Sequence, residues 1–337
     1  MIVYRQLVAC KDVVSTVAAV GYFDGLHVGH QFLLKELASW ASADGCSPAV
    51  VTFHPHPVEV LRGVSPLHVL SLRHRLLLLA HYGVKVALVL EFTPELSKWS
   101  CEEFVDRALV DALSARRVLM GFDSAWGAGR RGTHEYLSMQ ADALGVEFRQ
   151  SGVHQSDGVR VSSTLVRDAV ARGDLSQLAR LLGRSYSILG KVETGNARGR
   201  TLGFPTANLD TEGETSLPGG VYFAEVTRWG TSVLDTEKPS DVIRPVAAAS
   251  SNPRLPAIVN IGSRPTFEGA GSPNTVEVHL VDFDEDIYGE YLEVHFLSEH
   301  RAETKFSSAA ELVAQIRSDL TAFREHWQAR ASNPHES

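Results

Sequence analysis

Two histidines, His27 and His30, stand three residues apart in a glycine-rich stretch that follows an apolar run and precedes a helical pattern. Glycines in such a turn let the backbone approach a ligand closely, and the first turn of the next helix presents unpaired N–H groups. Both imidazoles can face one anion there and donate charge-assisted hydrogen bonds. The pattern predicts a phosphate site, with a nucleoside triphosphate as the expected ligand. Helix capping by the same residues is the alternative.

A second pair of histidines follows the next predicted strand. The apolar segment 49–53 leads into His54 and His56, and each of them precedes a proline, which favours extended geometry. The alternation of strand, helix and strand predicts a parallel sheet, in which ligands bind beyond the carboxyl ends of the strands. Residues 52–57 are therefore expected beside His30. A rigid surface turn is the alternative.

Two later segments carry groups that suit planar rings and phosphates. Residues 121–132 form a glycine-rich loop with an aromatic Trp126, which can stack on a planar ring. An exposed aromatic hairpin would have the same composition. Farther along the chain, Arg160 and Arg167 bracket three hydroxyls at the start of a predicted helix over 165–171. Besides capping the helix, these groups can donate hydrogen bonds to a departing pyrophosphate.

Beyond residue 185 the pattern changes to short alternating segments, which predict a closed antiparallel barrel. Thr206 and Asn208 lie two apart in an extended segment and share a face, where their oxygens suit Mg²⁺. An Asx-type turn is the alternative there. In the segment 275–280, Glu277 lies on the face opposite the valines, and it would accept a proton from an attacking hydroxyl if that face is the barrel's mouth. Most such acids merely face solvent.

Four motifs resemble the signatures of the bacterial bifunctional riboflavin kinase/FAD synthetases. They are Gly-x-Phe-Asp-Gly-x-His-x-Gly-His at 21–30, Thr-Phe-His-Pro-His-Pro at 52–57, Arg-x-Ser-Ser-Thr-x-x-Arg at 160–167 and Gly-Arg-Thr-Leu-Gly-Phe-Pro-Thr-Ala-Asn at 199–208. Segments 261–267 and 275–280 continue the likeness in family order. The resemblance implies that the barrel phosphorylates riboflavin to FMN and that the first domain adenylylates FMN to FAD. ATP would be the co-substrate of both steps, with Mg²⁺.

The resemblance also implies a fold of class α/β + β. Residues 1–184 would form a Rossmann-like nucleotidylyltransferase domain, with a parallel sheet and flanking helices. Residues 185–326 would form an antiparallel riboflavin-kinase β-barrel with a terminal helix, followed by a disordered tail at 327–337. The segment 228–256 is longer than the corresponding family loop and rich in Pro, Ser and charge, so we expect a flexible insertion there.

The same resemblance assigns roles to particular residues. Glu277 would be the base of the kinase step, and His27 and His30 would stabilise the adenylyl transfer. Ser124 stands where the family usually has an aromatic residue, which leaves flavin packing at this edge open. The expected nucleotide contacts are Phe23, Asp24, Gly25, His27, His30, His56, Arg160, Ser163, Thr164, Gly203, Pro205, Thr206 and Asn208, the expected flavin contacts are Asp123, Trp126 and Arg301, and the expected metal ligands are Thr206 and Asn208.

The bulk composition is typical of a two-domain globular protein with small-molecule partners. The chain has 337 residues, of which 44% are hydrophobic and 21% charged, so it exceeds the usual size of one core. A net charge of −8 gives no basic surface for nucleic acid, and charges in the N-terminal apolar stretch argue against a signal peptide or a membrane partner. Three scattered cysteines, Cys10, Cys46 and Cys101, suit a reducing cytoplasm and favour neither disulfides nor a zinc site. Two joined domains are also compatible with a homo-oligomer assembled head to tail.

Two other functions stay open at this point. The first domain could adenylylate a different phosphorylated acceptor, such as a pantetheine or nicotinamide nucleotide, although enzymes of that kind lack the barrel motif. Alternatively, the chain could be a flavin- and nucleotide-binding regulator without turnover. Retention of Glu277, His27 and His30 argues against such a loss of activity.

Overall fold

The computed structural model contains two compact units, each with its own hydrophobic core. The first unit contains Met1–Val166 and residues 240–242, and the second contains the other described residues. The domain boundary at residue 184 stays a prediction. The structure describes residues 1–7, 15–153, 155–156, 159–194, 202–231, 240–242, 254–262 and 275–332.

The strands of the described residues are, in chain order, β1 (Ile2–Tyr4), β2 (Thr16–Val20), β3 (Ser47–His54), β4 (Val86–Glu91), β5 (Ala115–Met120), β6 (Glu147–Gln150), β7 (Gln155–Ser156), β8 (Val159–Arg160), β9 (Ser187–Glu193), β10 (Ala207–Asp210), β11 (Gly220–Gly230), β12 (Ser240–Val242), β13 (Leu255–Gly262), β14 (Thr275–Leu280) and β15 (Tyr291–Ala302). The helices are α1 (Val28–Ala43), α2 (Pro57–Arg62), α3 (Leu72–His81), α4 (Cys101–Phe104), α5 (His134–Met139), α6 (Ala141–Leu144), α7 (Ser163–Arg172), α8 (Leu175–Leu182) and α9 (Ala309–Ser332). Short 3₁₀ turns occupy Asp24–Leu26, Leu96–Lys98 and Ala128–Arg130, and α4 continues into a π-helical segment, Val105–Asp111.

A mostly parallel sheet forms the middle of the first unit. Its strand order is β12-β1-β4-β3-β2-β5-β6, and only β12 runs antiparallel to its neighbour. All five residues of the central β2 are buried, as expected for an apolar strand covered on both faces. The parallel sheet with helices predicted for this domain is confirmed. Its carboxyl edge brings together the loops after β2, β3, β5 and β6, where the predicted motifs lie.

The segment 228–256, predicted to be a flexible insertion, is partly ordered. Residues 228–230 extend β11, and β12 pairs antiparallel with β1, so that Ile2 lies opposite Val242. An edge strand accepts such a partner because its outer N–H and C=O groups are otherwise unpaired. The prediction of flexibility is therefore wrong for these strand residues, whereas 232–239 and 243–253 lie outside the described residues.

The second unit is a closed antiparallel barrel with the strand order β10-β14-β13-β11-β15-β9. Alternate residues of β14, Val276, Val278 and Leu280, are buried and fill the interior. The helix α9 covers part of the outer face, where the rings of Phe323 and Phe223 meet edge to face with centroids 5.2 Å apart. The predicted barrel and terminal helix are confirmed.

The terminal helix is longer than predicted. It continues past residue 326 to Ser332, where the ring of Trp327 stacks on that of Phe323 at 5.7 Å. Phe323 and Trp327 lie four residues apart on the same helix, and Trp327 also packs against the buried cluster that includes Val221 and Phe223 of the barrel. The first part of the predicted disordered tail is therefore helical, and residues 333–337 lie outside the described part of the chain.

Candidate active sites

The loop between β2 and α1 is shaped by Asp24. This carboxylate is 2% exposed, and its Oδ1 accepts hydrogen bonds from the backbone N–H groups of Val69 and Leu70 at 3.1 Å each. The backbone turns through positive φ at Phe23 (59°) and Gly25 (77°). Asp24 and Gly25 therefore determine the path of the loop, and neither lines the cavity that lies beside it.

The two histidines of this loop stack at the start of α1, with ring centroids 3.8 Å apart. His27 caps the helix, because its Nδ1 accepts the backbone N–H of His30 at 3.3 Å. A neutral imidazole whose Nδ1 accepts a hydrogen bond carries its proton on Nε2, so His27 can donate that N–H to a ligand. The Nδ1 atom of His30 is buried and has no hydrogen-bond partner among the described residues. Capping and ligand binding are therefore compatible roles of the pair.

Burial keeps both imidazoles neutral in the free protein. It lowers the pKa of His27 to about 4, and it lowers the pKa of His30 well below the ordinary value, with the neighbouring His27 adding to that shift. The donors that the sequence analysis expected to be charged are thus uncharged at pH 7. A bound anion favours the protonated form, so we expect polyphosphate binding here to be accompanied by proton uptake.

A cavity of about 260 Å³, the histidine cavity, opens beyond the carboxyl ends of β2, β5 and β6. Residues from two of the motifs and from the loop after β5 meet in its wall: His27 and His30 from the motif at 21–30, Asp123 from the loop, and Arg160 and Ser163 from the motif at 160–167. Imidazoles, a hydroxyl and a guanidinium are donors that suit a polyphosphate. The wall also contains Phe23, Ser124 and Ser162.

An ion pair lies at the rim of the histidine cavity. Arg160 donates a hydrogen bond to the carboxylate of Asp123, and Arg130 donates to the Asp123 carbonyl at 3.1 Å. The hydroxyl of Ser163 donates to the carbonyl of Asp24 at 3.0 Å, which joins the motif at 160–167 to the motif at 21–30. Because the Arg160 side chain is 51% exposed, solvent screens its ion pair, and a polyphosphate can compete for the guanidinium.

Three predicted contacts lie away from the histidine cavity. His56 caps α2 by accepting a backbone N–H of that helix at 3.0 Å, and its ring lies 4.1 Å from that of Tyr22. Trp126 packs against the core, with its ring 6.1 Å from Phe104. Thr164 is exposed on α7. None of the three lines the cavity, and their binding roles stay predictions.

The sequence analysis missed a buried cation behind the first two motifs. Arg75 on α3 is 0% exposed and donates hydrogen bonds to the carbonyls of Tyr22 and Phe53, both at 2.9 Å. Its guanidinium carbon lies 4.0 Å from the centre of the Tyr22 ring. Because these carbonyls lie at the ends of β2 and β3, Arg75 joins the two loops that carry the histidine motifs. The sequence feature that could have pointed to Arg75 is a basic residue near the start of an otherwise apolar helix.

A second cavity, of about 380 Å³, lies between the outer face of the barrel and α9, and we call it the barrel cavity. A row of neighbouring strand residues crosses its wall. Asn208 on β10 is opposite Glu277 on β14, which is also opposite Asn260 on β13. The row continues through Val221 on β11 to Arg301 on β15. Directly opposite residues of antiparallel strands point to the same side, with Cβ atoms about 4.5–5.5 Å apart, so the five side chains share one face.

From the strand pattern alone, a proton-accepting Glu277 is conditional on its face being the mouth of the barrel, and the structure does not meet that condition. Glu277 lies on the outer wall instead, where Leu312 and Ile316 of α9 complete the cavity. The alternation of β14 turns Val276 and Val278 inward and therefore turns Glu277 outward. Burial raises the pKa of Glu277, which suits a group that must accept a proton near neutral pH.

Thr206 lines two cavities. It belongs to the barrel cavity and to a third one of about 230 Å³, the side cavity, whose wall includes Pro205 and residues 283–288. His279 donates its Nδ1–H to the carbonyl of Pro205 at 2.8 Å and so holds this segment against β14. Gly203 is exposed, has φ of 86° and lines neither cavity.

No three His, Cys, Asp or Glu side chains of the described residues come together as a metal site. The oxygens of Thr206 and Asn208 remain the donor set for a metal that a nucleotide brings. The helices that the structure describes include none that is both long and apolar enough to cross a membrane. Residues 199–201 and 263–267, which belong to two of the family motifs, lie outside the described residues.

Arg301 is oriented by Asp319 on α9, a contact that the sequence analysis missed. Its Nε and one terminal nitrogen donate to both carboxylate oxygens at 2.8–3.2 Å. His300 and Gln315 contact the same carboxylate at 3.2 and 2.8 Å. Burial alone would raise the pKa of Asp319, but the hydrogen bonds from Arg301 and Gln315 lower it overall. The sequence feature that could have pointed to Asp319 is an acidic residue on the apolar face of the terminal helix.

Known proteins resemble both units. Residues 10–165 match the family model for FAD synthetase, and residues 182–327 match that for riboflavin kinase. The bifunctional riboflavin kinase/FMN adenylyltransferase of Escherichia coli (strain K12) is 35% identical over 308 residues, which cover 91% of each chain. That of Bacillus subtilis (strain 168) is 30% identical over 313 residues, which cover 92% of each. A crystal structure described as a macrolide-efflux protein from Streptococcus pneumoniae superposes with a TM-score of 0.75 at 29% identity, covering 96% of this chain and 98% of that chain.

The two family matches fall on different cavities. The FAD synthetase match contains the histidine cavity, and the riboflavin kinase match contains the barrel cavity with its row of neighbouring strand residues. The curated relatives span both matches within one chain. The chain therefore belongs to the bifunctional riboflavin kinase/FMN adenylyltransferase family.

Proposed function

We propose that this enzyme makes FAD from riboflavin in two steps, each at its own cavity. In the barrel cavity, the γ-phosphoryl group of ATP is transferred to riboflavin, which gives FMN. In the histidine cavity, the adenylyl group of a second ATP is transferred to FMN, which gives FAD and pyrophosphate. The observation that carries this division is that Glu277 and the histidine pair line separate cavities.

Glu277 is the base of the kinase step. It accepts the proton of the terminal ribityl hydroxyl while that oxygen attacks the γ-phosphorus, and ADP leaves as the bond to the bridging oxygen breaks. The raised pKa of Glu277 supports this role, because a carboxylate with a higher pKa is a stronger proton acceptor. Arg301, which Asp319 holds against the same wall, contacts the flavin ring system.

Thr206 and Asn208 would hold the Mg²⁺ that accompanies ATP. Both belong to the wall of the barrel cavity, and hydroxyl and amide oxygens are hard ligands of the kind that Mg²⁺ prefers. When bound, the ion neutralises charge on the phosphates. Because Thr206 also lines the side cavity, we assign that cavity to the remainder of the nucleotide.

The adenylyl transfer needs no general base, because the phosphate of FMN is already an anionic nucleophile. A phosphate oxygen of FMN attacks the α-phosphorus of ATP, and pyrophosphate leaves. His27 donates its Nε2–H to the phosphates, and Ser163 and Arg160 offer further hydrogen bonds from the same wall. Arg160 must exchange its contact with Asp123 for one with the polyphosphate.

One time course tests both steps. Purified protein is incubated with riboflavin, ATP and Mg²⁺, and riboflavin, FMN and FAD are separated by chromatography. We expect FMN to rise before FAD. Formation of FMN without FAD would indicate that the histidine cavity adenylylates a different acceptor. Binding of the flavin without conversion would favour a regulator.

Two substitutions test the division between the cavities. His30→Ala should abolish FAD formation and spare FMN formation, because it removes a group from the histidine cavity alone. Glu277→Gln should slow FMN formation by roughly 10²–10⁴-fold and spare FAD formation when FMN is supplied. Each spared activity is the control for folding. Loss of both activities in a folded variant would show that the steps are not divided in this way.

Substrates, location and assembly complete the proposal. Riboflavin, FMN and ATP are the small-molecule partners, and the cytoplasm, where ATP is available, is the expected location. Self-association stays a prediction that light scattering of the purified chain can test.

A further inference from the structure

Asn260 is a polar residue in an otherwise apolar part of β13. Its neighbours Val259 and Ile261 are fully buried, whereas the side chain of Asn260 belongs to the wall of the barrel cavity. Its amide makes no hydrogen bond within the described residues. The side chain is partly exposed, so water can solvate its amide in the free protein, and a polar ligand that enters the cavity can take the place of that water.

The register of the barrel places Asn260 next to Glu277, on the side where riboflavin, the acceptor of the phosphoryl group, would lie. Across the wall the order is Asn208, Glu277, Asn260, Val221 and Arg301. In the proposed function, the nucleotide lies at the Asn208 end and the flavin ring at the Arg301 end. The ribityl chain must then pass Asn260 on its way from Glu277 to Arg301. Glu277 and Arg301 are three strand spacings apart, about 14 Å, and this distance is comparable to the length of riboflavin.

The space beside the Asn260 amide is kept open by Gly262. A Cβ atom at Gly262 would lie 3.6 Å from Nδ2 of Asn260, 3.4 Å from Oε1 of Glu303 and 3.1 Å from Oγ1 of Thr275. A side chain at that position would therefore occupy the space that surrounds the amide. Because position 262 carries no side chain, a hydroxyl of a ligand can approach Asn260.

We propose that Asn260 hydrogen-bonds the 4′-hydroxyl of riboflavin and thereby orients the 5′-hydroxyl toward Glu277. This inference deepens the proposed kinase function and rests on it. The Cβ atoms of directly opposite Asn260 and Glu277 are about 5 Å apart, so their side chains can converge on two neighbouring hydroxyls. An amide donates and accepts hydrogen bonds, as a hydroxyl does, and it does not compete for the proton that Glu277 accepts. Asn260 is thus a substrate-positioning residue.

The test compares two variants on two substrates. We would measure kcat/KM for phosphorylation of riboflavin and of 4′-deoxyriboflavin by the wild type, by Asn260→Ala and by the matched control Thr304→Ala. Thr304 belongs to the same cavity wall but lies outside the row. FAD formation from supplied FMN, together with thermal unfolding of the barrel, checks that each variant is folded.

With riboflavin, Asn260→Ala should lower kcat/KM roughly tenfold, the usual effect of removing an uncharged hydrogen bond to a substrate hydroxyl. With 4′-deoxyriboflavin, the wild type should already show that loss, and Asn260→Ala should show little further loss. Thr304→Ala should have the same relative effect on both substrates.

Equal losses for Asn260→Ala on both substrates would overturn the proposal, because they would show that the amide does not contact the 4′-hydroxyl. Equal losses together with a shift in the acidic limb of the pH–rate profile would assign Asn260 to the orientation of Glu277 instead. A wild-type chain that binds both flavins and phosphorylates neither would overturn the proposed kinase function as well, and this outcome differs from the other two.

Discussion

Replacing His27 with Asn should make the first unit less sensitive to acid. The folded protein holds this imidazole at 7% exposure, and burial lowers its pKa from 6.5 to about 4. Asn keeps a side-chain acceptor for the His30 N–H and therefore keeps the cap of α1, but it does not titrate. The substitution thus removes a proton-linked contribution to stability while it preserves the local hydrogen bond.

Stability of the wild type falls with acid because the unfolded chain binds the proton more readily. His27 contributes its full stability above the unfolded pKa of 6.5 and loses it as the pH falls toward the folded pKa of about 4. At pH 5 nearly all unfolded rings, but only about a tenth of the folded ones, are protonated. Relative to pH 8, this difference lowers the free energy of unfolding by about 2 kcal/mol. We expect His27→Asn to lose about 2 kcal/mol less than the wild type over this range.

The assay must report on the first unit by itself, because two units need not unfold together. Urea titrations at pH 8 and pH 5, read by pulsed hydrogen exchange of peptides from β2 and β3, meet this requirement. His81→Asn is the matched control, since His81 is exposed at the end of α3. If the wild type and His27→Asn lose the same free energy between the two pH values, His27 is not held neutral by the fold, and the reasoning is refuted.

Three further predictions concern the base, the flavin contact and the packing of the loop after β5. The rate of FMN formation should fall as the pH drops through the raised pKa of Glu277. Glu277→Gln should lose this acidic limb of the pH–rate profile, and its kcat should be roughly 10²–10⁴-fold lower. A limb that persists in the variant would mean that another group is titrating. Asp319→Ala should raise KM for riboflavin roughly tenfold with a smaller change in kcat, because Arg301 loses the carboxylate that orients it; an unchanged KM would show that Arg301 does not depend on this contact. Gly132→Ala should destabilise the first unit by about 1–3 kcal/mol, because the new Cβ would lie 2.6 Å from Cβ of Cys101, and a melting temperature equal to that of the wild type would contradict this.

The elements that the sequence predicts best are those with a strict period. The bounds of β14 (Thr275–Leu280) agree with the sequence pattern, because the alternation persists over the whole segment. By contrast, β12 pairs with a strand far away in the chain, and the local composition of 228–256 has no signal for such a partner. The extension of α9 to Ser332 includes Trp327, which packs against the buried cluster between α9 and the barrel, and that packing depends on residues far away in the chain.

The candidate sites show the same difference between what local sequence indicates and what contacts between distant residues decide. The resemblance to the family identified His27, His30, Ser163 and Arg160 by type and spacing, and these residues meet in one cavity. It also grouped Asp24, His56 and Thr164 with them, because a motif does not show which of its residues shape the loop and which face the ligand. Burial and the partners of each side chain separate the two kinds, as the amide contacts of Asp24 illustrate.

By itself, the sequence determined the family, the two domain types and the residue types of both sites, because these follow from local motifs and periodic patterns. Only the tertiary structure decided that Glu277 faces the outer wall beneath α9, that Asn208 and Asn260 flank it, and that the two histidines are neutral. The physical reason is that side-chain direction, strand register and burial are set by contacts between residues far apart in the chain. A pKa and a neighbour across a barrel depend on those contacts, whereas a motif records only the order of residues.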